Sequence, residues 1–474
     1  MSRKYVRKTN EEEQKHYVHR AEPPGFVRSV KGTATNAKAS VAETVAIAVM
    51  LGLIALFFLG TARLFVAPQP SGYRIAFVAV PTGQPLHYKI IETWVFGNTT
   101  IAEVELPPGT NPQGAFVPQS MWVHLAPWSM GSVSSSPYAT WYASDQYLTV
   151  MHYNPMWNGS GLTVAVIDTG IDYLMPNFAP GKHLILLVSV LYKNSTNGEP
   201  IVWNLQQNDN LSALYHFDFK LFQQYGHWAF LDTAGHGTAV SSIIVAQPGY
   251  GVVQGLAPGA NLIMIKAFFG NGTSTLPYVL TALQWVYNNS EKYNIRVLSL
   301  SWGAVMPPNN PLNYAIEQVE SKGVIVVASA GNYGNIPGDV AYPAASPGVV
   351  AVSGLDCYTG QVAYFSSIGP TYQLWGVKPQ FTSCAVDVPV LFPPYVSFTG
   401  EVTDPYDSNV TALSGTSFSG PAVAGVLADW LEYYHFYHGT WTTEAQLLTL
   451  VENNAEHLSY TYDVTGYGIP LAPP

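Results

Sequence analysis

Apolar runs of five to eight residues alternate with longer helix-compatible stretches from about residue 160 to the C-terminus. Such near-continuous Val, Ile and Leu runs are typical of strands covered on both faces of a parallel sheet. They predict strands at 162–168, 262–268, 296–301, 323–330 and 349–353, and helices are predicted to begin at His236, near Leu276, near Leu312, at Ser417 and near Thr443. The alternation predicts a doubly wound α/β domain over residues 141–474, with helices on both faces of a mostly parallel sheet. Residues 173–231 are longer than a connection between a strand and a helix needs, and they are expected to form surface insertions.

A stretch without charge precedes this domain. Residues 44–62 contain no Asp, Glu, Lys or Arg. As a helix rising about 1.5 Å per residue they would extend roughly 28 Å, close to the thickness of a bilayer's hydrocarbon core. The stretch is longer than the roughly 7–15 apolar residues of a signal peptide, and it lacks the polar stripe of a helix at a domain surface. We therefore expect one transmembrane helix within residues 44–66.

The distribution of charge predicts how this helix is oriented. Residues 1–44 contain nine Lys/Arg and five Glu, whereas only Arg63 and Arg74 follow the span closely. The positive-inside rule then leaves a basic tail, residues 1–43, in the cytoplasm and the α/β domain outside the cell membrane. Glycosylation signals of the form Asn-X-Ser/Thr agree with this single-pass topology because all of them follow the span: Asn98, Asn158, Asn194, Asn210, Asn271, Asn288 and Asn409.

Residues 67–140 separate the span from the α/β domain. A Pro- and Gly-containing linker at 67–72 is followed by alternation of polar and apolar residues from Ile75 to Val80, and turn signals come after it. The pattern predicts β-structure. An extracellular stalk and a β-rich extension of the α/β domain are both compatible with it.

Composition narrows the classes of partner. Of 474 residues, 48% are hydrophobic and 11% are charged, well below the usual quarter, which suits a large buried core. The net charge is −10, and residues 67–474 carry ten Lys/Arg against 25 Asp/Glu. This acidic balance argues against nucleic acid as a partner.

Two cysteines, Cys357 and Cys384, both follow the predicted span. A disulfide between them would stabilise the fold by about 3 kcal/mol on the chain-entropy model. Two buried thiols acting as small hydrophobic side chains are the alternative. The oxidising compartment expected for this region favours the disulfide. No histidine or third cysteine stands at ligand spacing, so no metal site is predicted.

Three short segments, far apart in the chain, carry an acid, a base and a hydroxyl. They are Val-Ile-Asp168-Thr-Gly, Ala-Gly-His236-Gly-Thr and Ser-Gly-Thr-Ser417-Phe-Ser-Gly-Pro. A serine hydroxyl is a poor nucleophile until a base removes its proton, and that base is in turn oriented by a carboxylate. Each residue alone has an ordinary alternative, such as a helix cap for Asp168 or Ser417. Together, in the order acid, base, nucleophile, they favour nucleophilic catalysis.

With these segments the chain resembles the subtilisin-like serine proteases, or subtilases, from about residue 145 to about 470. Further matching segments are Gly-Leu-Ala-Pro-Gly-Ala at 255–260, Ser299-Leu-Ser301-Trp302-Gly303, Ala330-Gly331-Asn332, Tyr342-Pro-Ala-Ala-Ser-Pro-Gly and Phe365-Ser-Ser-Ile-Gly-Pro. The chain departs from the family pattern at Ala239, Ala422 and Gln380. None of these is a catalytic position of the family.

The resemblance implies a serine endopeptidase acting on proteins or peptides, with Asp168, His236 and Ser417 as the triad and Asn332 as a side-chain donor to the oxyanion. Substrate would bind as an added β-strand between edges near 300–303 and 268–272. The implied substrate-binding residues are Ser301, Trp302, Gly303, Ala330, Gly331, Phe268 and Gly270. Nothing charged occurs among 301–304 and 328–331, so an apolar or aromatic residue is expected before the scissile bond.

The resemblance has three further consequences. Subtilases commonly carry a prodomain ahead of the catalytic domain, and residues 67–140 have a suitable position and length for one. The reaction needs no cofactor, and although structural calcium is common in the family, no acidic cluster here marks a calcium site. The competing hypothesis is a protease-fold surface scaffold that binds partners without cutting them.

Overall fold

The structure, a computed structural model, describes residues 73–110, 112, 114–118, 122–125, 146–194, 196–249, 253–370, 378–396 and 409–474. The predicted cytoplasmic tail and transmembrane helix, residues 1–43 and 44–66, lie outside these ranges. Within the described ranges, no helix has both the length and the hydropathy required to cross a bilayer.

A small antiparallel sheet opens the described chain. Its strands are β1 (Arg74–Pro81), β2 (Lys89–Phe96) and β3 (Thr99–Leu106), arranged in the order β1-β3-β2. Phe96 pairs with Thr99 across a two-residue turn that begins at Gly97, whose φ of 54° suits glycine. The alternation predicted from Ile75 to Val80 therefore corresponds to a real strand.

This small sheet packs against the larger α/β unit. The Trp94 indole N–H donates to the Thr281 hydroxyl at 2.9 Å, and the Gln284 amide donates to the Val95 carbonyl at 3.1 Å. Phe77, Trp94 and Phe96 belong to a hydrophobic core shared with helices of the α/β unit. A further short strand, β4 (Trp122–Leu125), follows the small sheet in the chain.

A nine-stranded sheet forms the centre of the α/β unit. Its strands are β5 (Thr163–Asp168), β6 (Leu184–Lys193), β7 (Pro200–Asn204), β8 (Asn261–Lys266), β10 (Ile295–Leu300), β12 (Ile325–Ser329), β13 (Val350–Asp356), β14 (Gln361–Val362) and β15 (Phe381–Cys384); the short strands β9 (Thr273–Thr275) and β11 (Trp302–Gly303) lie apart from it. The order is β14-β13-β12-β10-β5-β8-β6-β7, with β15 parallel to β13. Only β7 and β14 run antiparallel to their neighbours. The predicted mostly parallel α/β sheet is thus confirmed.

Helices cover both faces of the sheet. In chain order the helices are α1 (Gln146–Val150), α2 (Leu211–Tyr225), α3 (His236–Val245), α4 (Leu276–Asn289), α5 (Pro311–Glu320), α6 (Thr416–His438), α7 (Glu444–Asn453) and α8 (Tyr462–Thr465), and a 3₁₀ turn spans Pro176–Phe178. Helices α3 and α6 pack into one hydrophobic core, and α4 and α5 pack into the other. A two-stranded ribbon of β16 (Val388–Leu391) and β17 (Val410–Leu413) precedes α6.

The helix starts follow local capping chemistry. The Asn310 side chain accepts the N–H groups of Leu312 and Asn313, and Pro311 occupies the first turn. Thr443 and Gln446 form a reciprocal capping box at the start of α7. These caps account for the predicted starts near Leu312 and Thr443.

The expectation that residues 173–231 are surface insertions was wrong in one part. Strand β6 lies inside the sheet, paired with β8 on one side and β7 on the other, and nearly all of its residues are buried. The run Leu-Ile-Leu-Leu-Val-Ser-Val-Leu buries its side chains on both faces, as the other core strands do. The later helix α2 does carry a partly exposed aromatic face.

Candidate active site

Asp168 is the last residue of β5, a central strand of the sheet. In open α/β sheets, ligands bind at the carboxyl ends of the strands. The side chain of Asp168 is buried, and one carboxylate oxygen accepts the N–H of Thr169 at 2.7 Å. The strand end therefore presents a fixed carboxylate at the edge where a site is expected.

His236 is the first residue of α3, and its imidazole faces Asp168. Its Nδ1 atom lies 2.8 Å from Oδ1 and 3.0 Å from Oδ2 of Asp168, and neither side chain is exposed. Gly237 makes this approach feasible because a Cβ atom there would lie 2.1 Å from the carbonyl oxygen of Gly170. The carboxylate thus holds the imidazole with Nδ1 toward it and Nε2 away from it.

Asp232 ties the loop of the acid to the loop of the base. Its Oδ1 accepts the Thr169 hydroxyl at 2.9 Å and the N–H of Gly235 at 2.8 Å, while Oδ2 accepts the Thr238 hydroxyl at 2.7 Å. The Thr169 hydroxyl in turn accepts the N–H of Gly237 at 2.8 Å. The carboxylate is fully buried, and the network fixes the positions from which Asp168 and His236 meet.

A buried lysine lies behind this network. The Lys266 ammonium donates to the carbonyls of Thr169 and Leu231, the latter at 2.9 Å. Burial lowers the pKa of Lys266, and the negative charges of Asp232, Asp218 and Asp168 oppose that effect. Sequence reasoning missed Asp232 and Lys266, although Asp232 stands only four residues before His236.

Ser417 lies in the first turn of α6. The helix begins at Thr416 with Gly415 as its N-cap, so the alternative role of Ser417 as an N-cap does not apply. The Ser417 hydroxyl donates to the Ser301 carbonyl at 3.3 Å, and the Ser301 hydroxyl donates to the Ser417 carbonyl at 2.9 Å. These contacts attach the start of α6 to the segment just before β11.

The starts of α3 and α6 adjoin one another. The two helices pack together. The centroid of the His236 ring lies 6.1 Å from the centroid of the ring of Phe418, the residue after Ser417. In this conformation the Ser417 hydroxyl points to Ser301. Catalytic hydrogen bonds are often long or turned aside until substrate binds, so this orientation is compatible with transfer of the proton to His236.

Asn332 is held against Thr416, the residue before Ser417. Its side-chain oxygen accepts both the N–H and the hydroxyl of Thr416 at 2.9 Å, and the N–H of Gly331 donates to the same Thr416 hydroxyl at 3.2 Å. Thr416 therefore fixes the orientation of the Asn332 carboxamide, whose NH₂ group is the side that can donate. A positioned donor of this kind stabilises a developing oxyanion.

The predicted substrate edges flank a strand of the chain itself. Strand β4 pairs antiparallel with β11 on one side, where His124 is opposite Gly303, and with β9 on the other. The N–H of Leu125 also donates to the Gly272 carbonyl at 3.0 Å. The groove between β9 and β11 therefore accepts an extended peptide strand in this structure.

The other predicted substrate residues occupy different positions. Phe268 is buried against Trp302, whose indole N–H donates to the Ile167 carbonyl at 3.0 Å, so both rings belong to the hydrophobic core. Ala330 is buried and donates its N–H to the Val352 carbonyl, whereas Gly270 is exposed beside Thr233. Of the predicted substrate-binding residues, Trp302 and Gly303 pair through their backbone with β4, the strand in the groove.

A cavity of about 470 Å³ opens next to these elements. Its walls are mainly apolar, but Tyr333 and Asp339 are among the residues that line it. None of the residues at 301–304 and 328–331, from which an uncharged pocket was expected, lines this cavity, so that expectation stays a prediction. Asp339 was missed because it lies seven residues beyond Asn332, outside the segments from which the pocket was predicted.

Two other predictions concern cysteines and metals. The structure contains a disulfide between Cys357 and Cys384, which joins the turn after β13 to the end of β15. Among the residues described above, no group of three or more His, Cys, Asp or Glu side chains could hold a metal ion.

The similarity to known proteins covers the part of the chain that contains this site. The family model described as the Subtilase family matches residues 159–469. Three similar proteins are a thermostable alkaline protease from Halalkalibacterium halodurans (32% identity over 197 residues), subtilisin DY from Bacillus licheniformis (30% over 206) and M-protease from Shouchella clausii (27% over 322). These matches cover 42%, 43% and 65% of this chain and 47%, 65% and 67% of the respective relatives.

Proposed function

Because the chain belongs to the subtilase family of serine proteases, we propose that residues 141–474 form an endopeptidase that cleaves peptide bonds through Asp168, His236 and Ser417. The observation that carries this proposal is the buried pair of Asp168 and His236 at 2.8 Å, at a strand end adjoining the helix start that bears Ser417. A buried carboxylate that orients an imidazole beside a serine is the arrangement that activates a hydroxyl.

The first half of the reaction forms an acyl-enzyme. The Ser417 hydroxyl turns from the Ser301 carbonyl toward His236, gives its proton to Nε2, and its Oγ bonds to the substrate carbonyl carbon. The resulting oxyanion is stabilised by the Asn332 amide and by backbone N–H groups at the start of α6. The imidazolium then protonates the leaving amine as the C–N bond breaks.

The second half regenerates the enzyme. Water gives a proton to His236 and its oxygen bonds to the acyl carbon. The tetrahedral intermediate collapses, the bond to Ser417 Oγ breaks, and His236 returns the proton to that oxygen. Asp168 stays ionised throughout and stabilises the imidazolium.

Digestion of a mixed peptide library tests this function. The full-length protein should cleave internal peptide bonds, and Ser417→Ala should remove the cleavage while retaining the same circular dichroism spectrum. A folded wild-type protein that cuts no peptide would instead favour the non-catalytic scaffold. The intact Asp168–His236–Asn332 constellation speaks against a scaffold, because partner binding alone does not need it.

We further propose that residues 67–140 act as a prodomain. Support comes from β4, which occupies the groove between β9 and β11 in the manner of a substrate, and from the small sheet docked on α4 through Trp94. Self-cleavage between residues 125 and 150 would separate this part from the mature enzyme. N-terminal sequencing should find the new terminus in wild-type protein and not in Ser417→Ala; an active chain that stays intact would refute obligatory cleavage.

Residues 44–62 are proposed to anchor the protein in the cell membrane, with the catalytic domain outside. The uncharged span, the basic residues before it and the glycosylation signals after it support this topology. The disulfide is also typical of an external compartment. Uncleaved Ser417→Ala protein should remain with membranes after alkaline carbonate extraction, and deletion of residues 44–62 should release it.

A further inference from the structure

The cavity is lined by residues that closely follow β11, on one side of the groove, and Asn332. Val305 and Met306, which line it, follow β11 by two and three residues, and Tyr333 directly follows Asn332. Ala304 and Tyr342 join these two walls through a pair of backbone hydrogen bonds of 2.8 and 3.0 Å. A side chain that leaves the groove beside Ser417 therefore meets this cavity.

The register of β4 identifies which substrate residue lies there. His124 is opposite Gly303 and Leu125 is opposite Trp302, so the next residue of a strand in this register lies opposite Ser301. The Ser301 carbonyl is the group 3.3 Å from the Ser417 hydroxyl. The residue whose carbonyl is attacked thus lies opposite Ser301, three residues before Ala304, whose backbone pairs with the cavity-lining Tyr342.

Asp339 is held in the cavity wall by a backbone contact. Its Oδ1 accepts the N–H of Ile368 at 3.1 Å, whereas its Oδ2 is buried and has no hydrogen-bond partner among the described residues. The loop that contains Asp339 is also attached to the segment around Ile368, because the N–H of Gly334 donates to the Phe365 carbonyl. The wall is therefore preformed, and a carboxylate with about four acceptor positions keeps some of them for a further donor.

The remaining lining favours a long side chain with an apolar stem. Val305, Met306, Ile336 and Ala341 give apolar walls, and Asp339 is the one charged side chain among the described residues that line the cavity. Lysine and arginine bury their methylene groups against apolar surface and place the cation at the end. A cation that meets a carboxylate there forms a charge-assisted hydrogen bond.

We propose that Asp339 is a specificity-determining residue that selects lysine or arginine immediately before the scissile bond. This inference rests on the proposed endopeptidase function and names its substrate class. It replaces the apolar or aromatic preference expected from the sequence.

Fluorogenic peptides that differ only at this position test the proposal. With the active enzyme obtained from the full-length chain, kcat/KM for the lysine and arginine peptides should exceed that for the norleucine peptide by about 10- to 100-fold. Norleucine is the matched control because it has a similar stem and no charge.

Two variants separate the role of Asp339 from a general effect of charge. Asp339→Asn should bring the lysine-to-norleucine ratio close to one, whereas Asp356→Asn should leave the ratio unchanged because that carboxylate caps a turn at Tyr358 and Thr359. A wild-type preference for norleucine or phenylalanine would overturn the inference even if Asp339→Asn failed to fold. Persistence of the lysine preference in Asp339→Asn would also overturn it. Hydrolysis of none of the peptides would overturn the proposed function together with this inference.

Discussion

The Nδ1 atom of His236 lies 2.8 Å from Oδ1 of Asp168, with both side chains fully buried. A neutral amide in place of the carboxylate would keep the shape but let the imidazole take the wrong tautomer. Asp168→Asn should therefore lower kcat by about 10⁴-fold, with little change in KM. Steady-state kinetics on a peptide substrate checks this, and an unchanged kcat in a folded variant would show that Asp168 does not orient the base.

Asn332 should contribute to turnover more than to binding. Replacing it with alanine removes the amide donor while the hydroxyl of Thr416 stays in place. We expect kcat to fall by about 100- to 1,000-fold, the range known for one oxyanion donor in subtilisin, and KM to stay within about twofold. A loss expressed mainly in KM would assign Asn332 to substrate binding instead.

Asp232 is expected to act as a positioning residue. Asp232→Asn keeps one side-chain oxygen as an acceptor and replaces the other with an NH₂ group. The hydroxyls of Thr169 and Thr238 donate to different oxygens of Asp232, so one of them loses its acceptor. We expect kcat to fall by about 10- to 100-fold, the range seen when a residue that orients a metal ligand is lost. The pH–rate profile should shift with it.

A purely structural role for Asp232 would lower the melting temperature and leave the pH–rate profile of the folded fraction unchanged. That result would contradict the positioning role. Thr238→Ser is the matched variant, since it retains the hydroxyl that donates to Asp232 and should keep kcat near that of the wild type.

Asp172 should make stability depend on pH in mildly acidic solution. Burial raises the pKa of Asp172 from 3.8 to about 6, the charge of Asp232 adds to this, and the Leu174 N–H and the Tyr395 hydroxyl oppose it. The folded state therefore binds more protons than the unfolded state between about pH 4 and pH 6. The stability contributed by protonated Asp172 is present below pH 4 and is lost as the pH rises through about 6.

Asp172→Asn removes this titration. Relative to the wild type, the free energy of unfolding of the variant should rise by about 3 kcal/mol between pH 3.5 and pH 7. Denaturant unfolding at several pH values, in a Ser417→Ala background that prevents self-digestion, measures the difference. Parallel curves for the two proteins would contradict the assignment.

The contact between Trp94 and Thr281 should stabilise docking of the small sheet. Trp94→Phe retains an aromatic ring but removes the N–H that donates at 2.9 Å. In a Ser417→Ala background we expect a loss of about 1 kcal/mol in the free energy of unfolding. A double-mutant cycle with Thr281→Val isolates this bond, and a coupling energy near zero would show that the packing of the ring alone holds the sheet.

The strands of the α/β domain were predictable because burial on both faces requires near-continuous apolar runs. The strand predicted at 162–168 is observed as Thr163–Asp168, and that at 296–301 as Ile295–Leu300. Strand β6 has the same kind of sequence, yet it was assigned to a surface insertion because the length of its surroundings was given more weight than its composition. An apolar run alone would have identified it.

The site was predictable only where single residues have recognisable neighbours. Asp168, His236 and Ser417 each stand in a short motif, whereas Asp232, Lys266 and Asp339 acquire their roles from contacts between distant loops. The position of β4 in the groove was equally hidden. Nothing in Trp-Val-His-Leu distinguishes a strand that pairs with β9 and β11 from any other short strand.

Labelling with a serine-directed fluorophosphonate tests the central claim, that Asp168, His236 and Ser417 act as one catalytic unit. Wild-type full-length protein, incubated to allow self-cleavage, should carry the adduct on the peptide that contains Ser417, as located by mass spectrometry. His236→Ala should slow labelling by at least about 1,000-fold. Equal labelling rates in the two proteins, or an adduct on another residue of a folded wild-type protein, would contradict the claim.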